Sequence, residues 1–147
     1  SLMKLKFLKY KSVKSTNNKA ISHIKSGKIK PCIILSSNQT KGRGRYGRRW
    51  VSQKGNIFFS VFFEINPKTK ISYYLKKNVI FLKKILSKYI NENITIKFPN
   101  DLLIKKKKIC GILQETIFKK KKKFLVVGIG INLNKSPKIK NYPTYCT

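Results

Sequence analysis

Acidic side chains are nearly missing from this sequence. Its 147 residues include one aspartate, Asp101, and three glutamates, Glu64, Glu92 and Glu115, against 35 Lys and Arg, so the formal net charge is +31. Histidine occurs once, at His23, and the three cysteines, Cys32, Cys110 and Cys146, form no CxxC pair. A zinc site needs several such ligands at set spacings, so none is expected. Unpatterned cysteines fit a reduced, cytoplasmic setting better than a disulfide framework. No 18 apolar residues run together, which excludes a membrane-spanning helix, and Met3 to Ser15 lacks the apolar centre of a signal peptide. The phosphate-binding pattern GxxxxGK[ST] is absent, and the dinucleotide pattern GxGxxG fails at its spacing. Ser1 and Leu2, preceding Met3, read as a cloning remnant.

The residues that are present still describe a folded chain. Hydrophobic residues make up 41% and aromatics 12%, enough apolar material to offset chain entropy despite the charge. The length suits one domain over residues 1–147. A charge of +31 suggests a polyanion partner, because Lys and Arg release counterions when they neutralise phosphates. However, Lys, Ile and Asn fill 63 of the 147 positions, with 31, 20 and 12 residues respectively. We therefore read the charge as mainly compositional. It attracts anions at long range whatever its origin.

Against 31 lysines there are four arginines, and all lie in Gly42-Arg43-Gly44-Arg45-Tyr46-Gly47-Arg48-Arg49-Trp50, with three of the eight glycines and the only tryptophan. A guanidinium is a planar fork of five donors, whereas an ammonium is a hydrated point charge. A lysine-saturated chain that keeps arginine here needs the fork. The surrounding segment, Asn38 to Gly55, is polar and too long for an ordinary turn, so it reads as a functional loop.

Apolar periodicity supplies the remaining elements. Asn17 to Ser26 reads as a helix capped by Ser15 or Thr16 and ended by Gly27. Cys32 to Ser36 and Ile57 to Ile65 read as strands. Ser72 to Ile90 reads as the long helix, with Leu75, Val79, Leu82, Leu86 and Tyr89 on its apolar face. Strands follow at Ile94 to Phe98, Leu102 to Ile104, Lys108 to Phe118 and Phe124 to Ile131, with lysine turns at Lys105 to Lys107 and Lys119 to Lys123. The expected fold class is α+β, a mixed, mostly antiparallel sheet with helices packed on it.

Other exceptions to the lysine bias fall in order along the chain. Asp101 ends Lys97-Phe98-Pro99-Asn100-Asp101 at a turn after a strand. Lys108 opens Lys108-Ile109-Cys110-Gly111-Ile112-Leu113-Gln114-Glu115. Gly128-Ile129-Gly130-Ile131-Asn132 ends an apolar strand with two glycines and an amide, a sign of close backbone approach. Each alone could be structural; the ordered set indicates a site.

With Ser15-Thr16-Asn17, Gln39 and the GRGRYGRRW block, this set resembles the biotin protein ligases over about residues 7 to 135. The resemblance implies a catalytic domain of class II synthetase-like fold. It implies that biotin and ATP form biotinyl-5′-AMP, with Mg²⁺, and that biotin then passes to a lysine of a biotin carboxyl carrier protein, a subunit of acetyl-CoA carboxylase. By position, catalytic roles fall on Arg43, Arg45, Lys108 and Asp101. Biotin would be bound by Ser15, Thr16, Asn17, Gln39, Gly42, Arg43, Arg45, Lys108 and Gly111. ATP would be bound by Arg48, Trp50, Lys97, Asn100, Asp101 and Asn132, with Asp101 beside the metal. The loop at 41 to 49 is expected to be mobile alone and ordered by biotin. A lipoate or octanoyl transferase relative, or a non-catalytic basic module for nucleic acid, is the alternative.

Two departures from the family pattern stand out. The middle block has Phe98 where the family usually has tryptophan. The chain stops where the family usually continues into further helices and an SH3-like barrel, so the catalytic domain is expected to be truncated there. No helix-turn-helix precedes Lys4, so no specific DNA binding is expected, nor any membrane association. Monomer and homodimer both remain open.

Overall fold

The computed structural model describes residues 5–51 and 55–132. Ser1 and Leu2, Leu133 and Asn134, and Tyr145, Cys146 and Thr147 lie outside the described residues. Seven strands form one sheet: β1 (Lys6–Tyr10), β2 (Cys32–Ser36), β3 (Ile57–Ile65), β4 (Thr95–Lys97), β5 (Asp101–Ile104), β6 (Lys107–Lys119) and β7 (Lys122–Ile131). Their order is β1-β2-β3-β7-β6-β5-β4. The helices are α1 (Thr16–Lys25) and α2 (Ile71–Leu86). Among the seven described strands only β1 and β2 pair in parallel, in keeping with the expected mixed, mostly antiparallel sheet.

Alternation along the central strands divides the core between the two helices. On β7, Phe124 and Val126 join Phe62, Ile34, Ala20 and Ile24 of α1 in one buried cluster. Leu125 and Val127 join Val79 and Leu82 of α2, with Leu102, Ile109 and Ile112, in another. The sheet thus carries α1 on one face and α2 on the other, since neighbouring strand residues point to opposite sides. Phe62 and Phe124 are fully buried, each contributing about 2–3 kcal/mol by removal from water.

Two elements differ from expectation. β1 was not anticipated, because its Lys-Phe-Leu-Lys-Tyr pattern leaves Phe7 exposed and becomes a strand only by pairing with β2 at the sheet edge. Edge strands tolerate such lysines, which also discourage pairing with other chains. α2 stops at Leu86 rather than Ile90. The Tyr89 and Ile90 amides both bond to the Leu86 carbonyl, turning Ile90 into the core and leaving Tyr89 exposed. Asn91-Glu92-Asn93 follow, residues whose asparagines compete with helical bonding.

The two lysine turns shrink to two residues each. Lys105 and Lys106 have φ of 49° and 66°, and Lys120 and Lys121 have 48° and 67°. Positive φ at both central positions matches a two-residue hairpin turn that favours Asn-Gly. Lysine is tolerated there, at a cost in left-handed backbone strain. Lys106→Gly is expected to raise unfolding stability by about 0.5–1 kcal/mol, read as a higher urea midpoint with no change in activity.

Candidate functional site

The face of the sheet that carries α1 changes character at the start of that helix. Along β7 the residues on this face run Phe124, Val126, Gly128, Gly130: bulky beneath the helix, then absent side chains. Register places Ser60 of β3 and Leu113 of β6 beside Gly128, and Phe58 and Gly111 beside Gly130. Three glycines and a serine thus make a low floor. α1 starts over it, and the segment from Gly42 to Trp50 covers it.

One end of this trough is a buried polar cluster. Ser15 caps α1, its side chain accepting from the Asn18 amide at 3.0 Å. The Thr16 amide donates to Gln39 Oε1 at 2.8 Å, and the Thr16 hydroxyl lies 3.3 Å from the same oxygen. Gln39 is held there by the bridge between its strand-like segment and Val13. Ser60 donates to Asn17 Oδ1 at 2.5 Å and lies 2.7 Å from the Thr16 hydroxyl. Asn17 Nδ2 donates to Leu113 O at 3.1 Å and to Glu115 Oε2 at 2.9 Å. Gly128 must lack a side chain, because a Cβ there would collide with the Asn17 amide.

The segment from Gly42 to Trp50 forms a hairpin. The Trp50 amide donates to Gly42 O, the Gly44 amide to Arg48 O, and Arg43 bridges Arg49. A Cβ at Gly42 would lie 2.5 Å from Trp50 O and 2.8 Å from Gln39 Nε2, so only glycine fits. Arg43 directs its fork at Glu115: Nη1 donates to Oε1 at 2.7 Å and Nη2 to Oε2 at 2.9 Å. That geometry differs from the expected closure of Arg43 over a ligand's tail and phosphate. Arg45 lines the cavity beside Gly44, forms no ion pair with a carboxylate among the described residues, and rests 5.1 Å from the centre of the Tyr46 ring.

Trp50 lies against the floor. A Cβ on Gly111 would come within 2.6 Å of its indole, and one on Gly130 within 2.9 Å. The indole Nε1 is buried without an acceptor. Above the ring, at 4.6 Å, is the Lys108 ammonium, which also lies 3.0 Å from Asp101 Oδ1. That contact is a charge contact off the hydrogen-bonding direction, since the buried Oδ1 has no hydrogen-bond donor. The remaining cavity is about 60 Å³, far below the roughly 300–1,000 Å³ of a small-molecule site. A ligand of ordinary size therefore requires the indole or the hairpin to move.

Ten of the sequence-selected residues line this cavity: Ser15, Thr16, Asn17, Gln39, Arg43, Arg45, Trp50, Asn100, Lys108 and Gly111. Gly42 is buried at the base of the hairpin, and Asp101 reaches the site through Lys108. Asn100 ties β6 down, donating to Ile112 O at 3.0 Å, while Asn132 Nδ2 donates to Lys108 O at 3.1 Å. Arg48 and Lys97 are exposed and line none of it. The sequence reading missed Phe58 and Ser60 and gave Glu115 no role. All three lie on the face carrying Gly128, placed there by the pairing of β3 and β6 with β7. Cys110, beside the site, is a poor nucleophile: burial pushes its thiol up to about 12, Lys108 opposing and Asp101 reinforcing the shift. Among the described residues, no three His, Cys, Asp or Glu side chains cluster to hold a metal, and no helix is long and apolar enough to cross a membrane.

Residues 10–132 match the model of the biotin/lipoate A/B protein ligase family. The chain is 34% identical to the bifunctional ligase/repressor BirA of Escherichia coli over 117 residues, 77% of this chain and 35% of that protein. It spans about a third of the length of such curated relatives; the Bacillus subtilis BirA match covers 33% of that protein. Among solved structures, the Aquifex aeolicus biotin protein ligase in complex with biotin and ATP matches with a TM-score of 0.63 and 31% identity, over 97% of this chain and 58% of that one. A Leishmania major biotin protein ligase in complex with biotin matches with a TM-score of 0.77 over 99% of this chain and 63% of that one; at 22% identity it supports the fold alone.

Proposed function

The chain belongs to the biotin/lipoate A/B protein ligase family, and from that premise we propose that it activates biotin with ATP and passes it to a lysine of a carrier protein. The observation that carries this reading is the convergence, on one glycine-floored trough, of a neutral polar cluster at one end and the cations Arg45 and Lys108 toward the other. Biotin has matching ends, a ureido ring with two donors and one acceptor and a carboxylate on an apolar tail. Ser15, Thr16, Asn17 and Gln39 would pair with the ring, which needs matched partners once buried. Phe58 and Leu113 supply apolar walls between.

The chemistry needs no enzyme nucleophile. A carboxylate oxygen of biotin bonds to the α-phosphorus of ATP as the bond from that phosphorus to pyrophosphate breaks. The amine of a carrier lysine then bonds to the acyl carbon as AMP leaves, and the amine's proton passes to solvent. The chain's task is to bring two anions together and to stabilise charge on the phosphate. Arg45 and Lys108 suit that task, and the hairpin over Trp50 would keep water from the mixed anhydride. Asp101 would hold Mg²⁺ once the Lys108 ammonium, 3.0 Å from its buried Oδ1, turns to the substrate, since Mg²⁺ needs only one or two carboxylates beside phosphate oxygens. The ion would offset phosphate charge. A net charge of +31 would draw both ATP and an acidic carrier.

The test is incubation with labelled biotin, ATP, Mg²⁺ and a carboxyl carrier domain. Adenylate formation followed by carrier labelling is expected. Failure of both steps in demonstrably folded protein would overturn the reading, and labelling with lipoate instead of biotin would move the chain to the family's lipoate branch.

A further inference from the structure

Glu115 is one of four acidic residues in a chain with 35 basic ones, and it sits where its charge is most constrained. Its β6 position points it to the α1 face, beside Val126 in register. Both carboxylate oxygens take the Arg43 fork, at 2.7 and 2.9 Å, and Oε2 also accepts from Asn17 Nδ2 at 2.9 Å. Asn17 is in turn fixed by Ser60 and by Leu113 O. One carboxylate therefore ties the hairpin, 72 residues earlier in sequence, to the polar cluster at the head of α1.

A paired fork is geometrically specific in a way that a single charge contact is not. With both terminal nitrogens of Arg43 turned to Glu115, its third side-chain nitrogen, Nε, is buried without a partner. Arg43 is thus an anchor at the root of the hairpin, two residues before Arg45. Arg43 lies next to Gly42, whose carbonyl accepts from the Trp50 amide, so its anchorage bears on both strands of the hairpin.

We propose that Glu115 is a positioning residue: it fixes Arg43 and Asn17 together, so that the hairpin is anchored to the ring-binding cluster and Arg45 is the loop arginine left for the substrate's anionic end. The substrate in this statement rests on the ligase reading, but the anchor does not. A merely structural ion pair, partly exposed at both partners, would affect stability slightly and leave loop and kinetics alone.

The experiment compares wild type, Glu115→Gln, Glu115→Asp, Arg43→Gln and the Arg43→Gln/Glu115→Gln double variant in three assays. Trypsin cleavage after Arg45, Arg48 and Arg49, sites that every variant keeps, reads the anchor directly with nothing added. Glu115→Gln is expected to speed it about 10-fold, with the thermal midpoint nearly unchanged. In adenylate formation, biotin KM is expected to rise about 10-fold with kcat within about 3-fold. The double variant should be no worse than the poorer single variant, because one link is broken in each. Glu115→Asp, one methylene short, should fall between wild type and Glu115→Gln; it also supplies the loop measurement if Glu115→Gln does not fold. Unchanged loop cleavage in folded Glu115 variants would sink the proposal, as would additive effects in the double variant. Absence of biotin binding by wild type would instead count against the ligase reading, and the cleavage assay would still decide the anchor.

Discussion

Arg45→Lys keeps the charge at its position and is expected to slow biotinyl-adenylate formation by about 100-fold or more, a size typical of losing one preorganised donor to developing charge. The four arginines lie in one stretch of a lysine-saturated chain, but the structure gives them different tasks. Arg43 is committed to Glu115. Arg48 and Arg49 are exposed. Arg45 alone lines the cavity without a carboxylate partner among the described residues. An ammonium in its place brings one charge but not two parallel donors, so it attracts a phosphate without orienting it. The loss should therefore fall on kcat of adenylation rather than on biotin affinity. Single-turnover pyrophosphate release separates the two. A variant with wild-type turnover would show that the fork is not what the chain retains arginine for.

The division of labour among the arginines marks the limit of what the sequence reveals. Their concentration is visible by eye, and so is the strand Ile57–Ile65, whose bounds match the structure because its apolar pattern is self-contained. Arg43 and Glu115 are 72 residues apart, and nothing in local pattern links them. Their meeting depends on β6 pairing with β7 so that Gly111 faces Gly130 and Leu113 faces Gly128. β1 was illegible for a similar reason: it exists through its neighbour. Gly128 and Gly130 lie between these cases. Their spacing of two was readable as close approach, but what approaches, the Asn17 amide at one and the Trp50 indole at the other, is decided by the packing of α1 and the hairpin.

Gly111→Val should separate stability from function at this floor. Gly111 sits inside β6 with no positive φ, so valine suits its backbone, and strand propensity favours the substitution by up to about 1 kcal/mol. The methyl groups would project into the trough. Even a Cβ there would come within 2.6 Å of Trp50 Cζ3 and 3.0 Å of Lys108 Cε, so the indole must leave the floor and Lys108 must shift with it. The outcome for binding does not depend on whether the indole or the ligand occupies this spot during turnover, because valine denies it to both. Biotin affinity is expected to fall at least about 100-fold, some 2.7 kcal/mol on the scale where each 1.4 kcal/mol is tenfold, with the urea midpoint held near wild type. Trp50 is the chain's only tryptophan, so its fluorescence should shift to the red as the indole becomes solvated. Tight biotin binding with an unshifted Trp50 spectrum would mean that the floor tolerates a side chain and that the glycine is not there to let anything approach. Loss of binding together with a collapsed midpoint would place Gly111 in the fold rather than in the site.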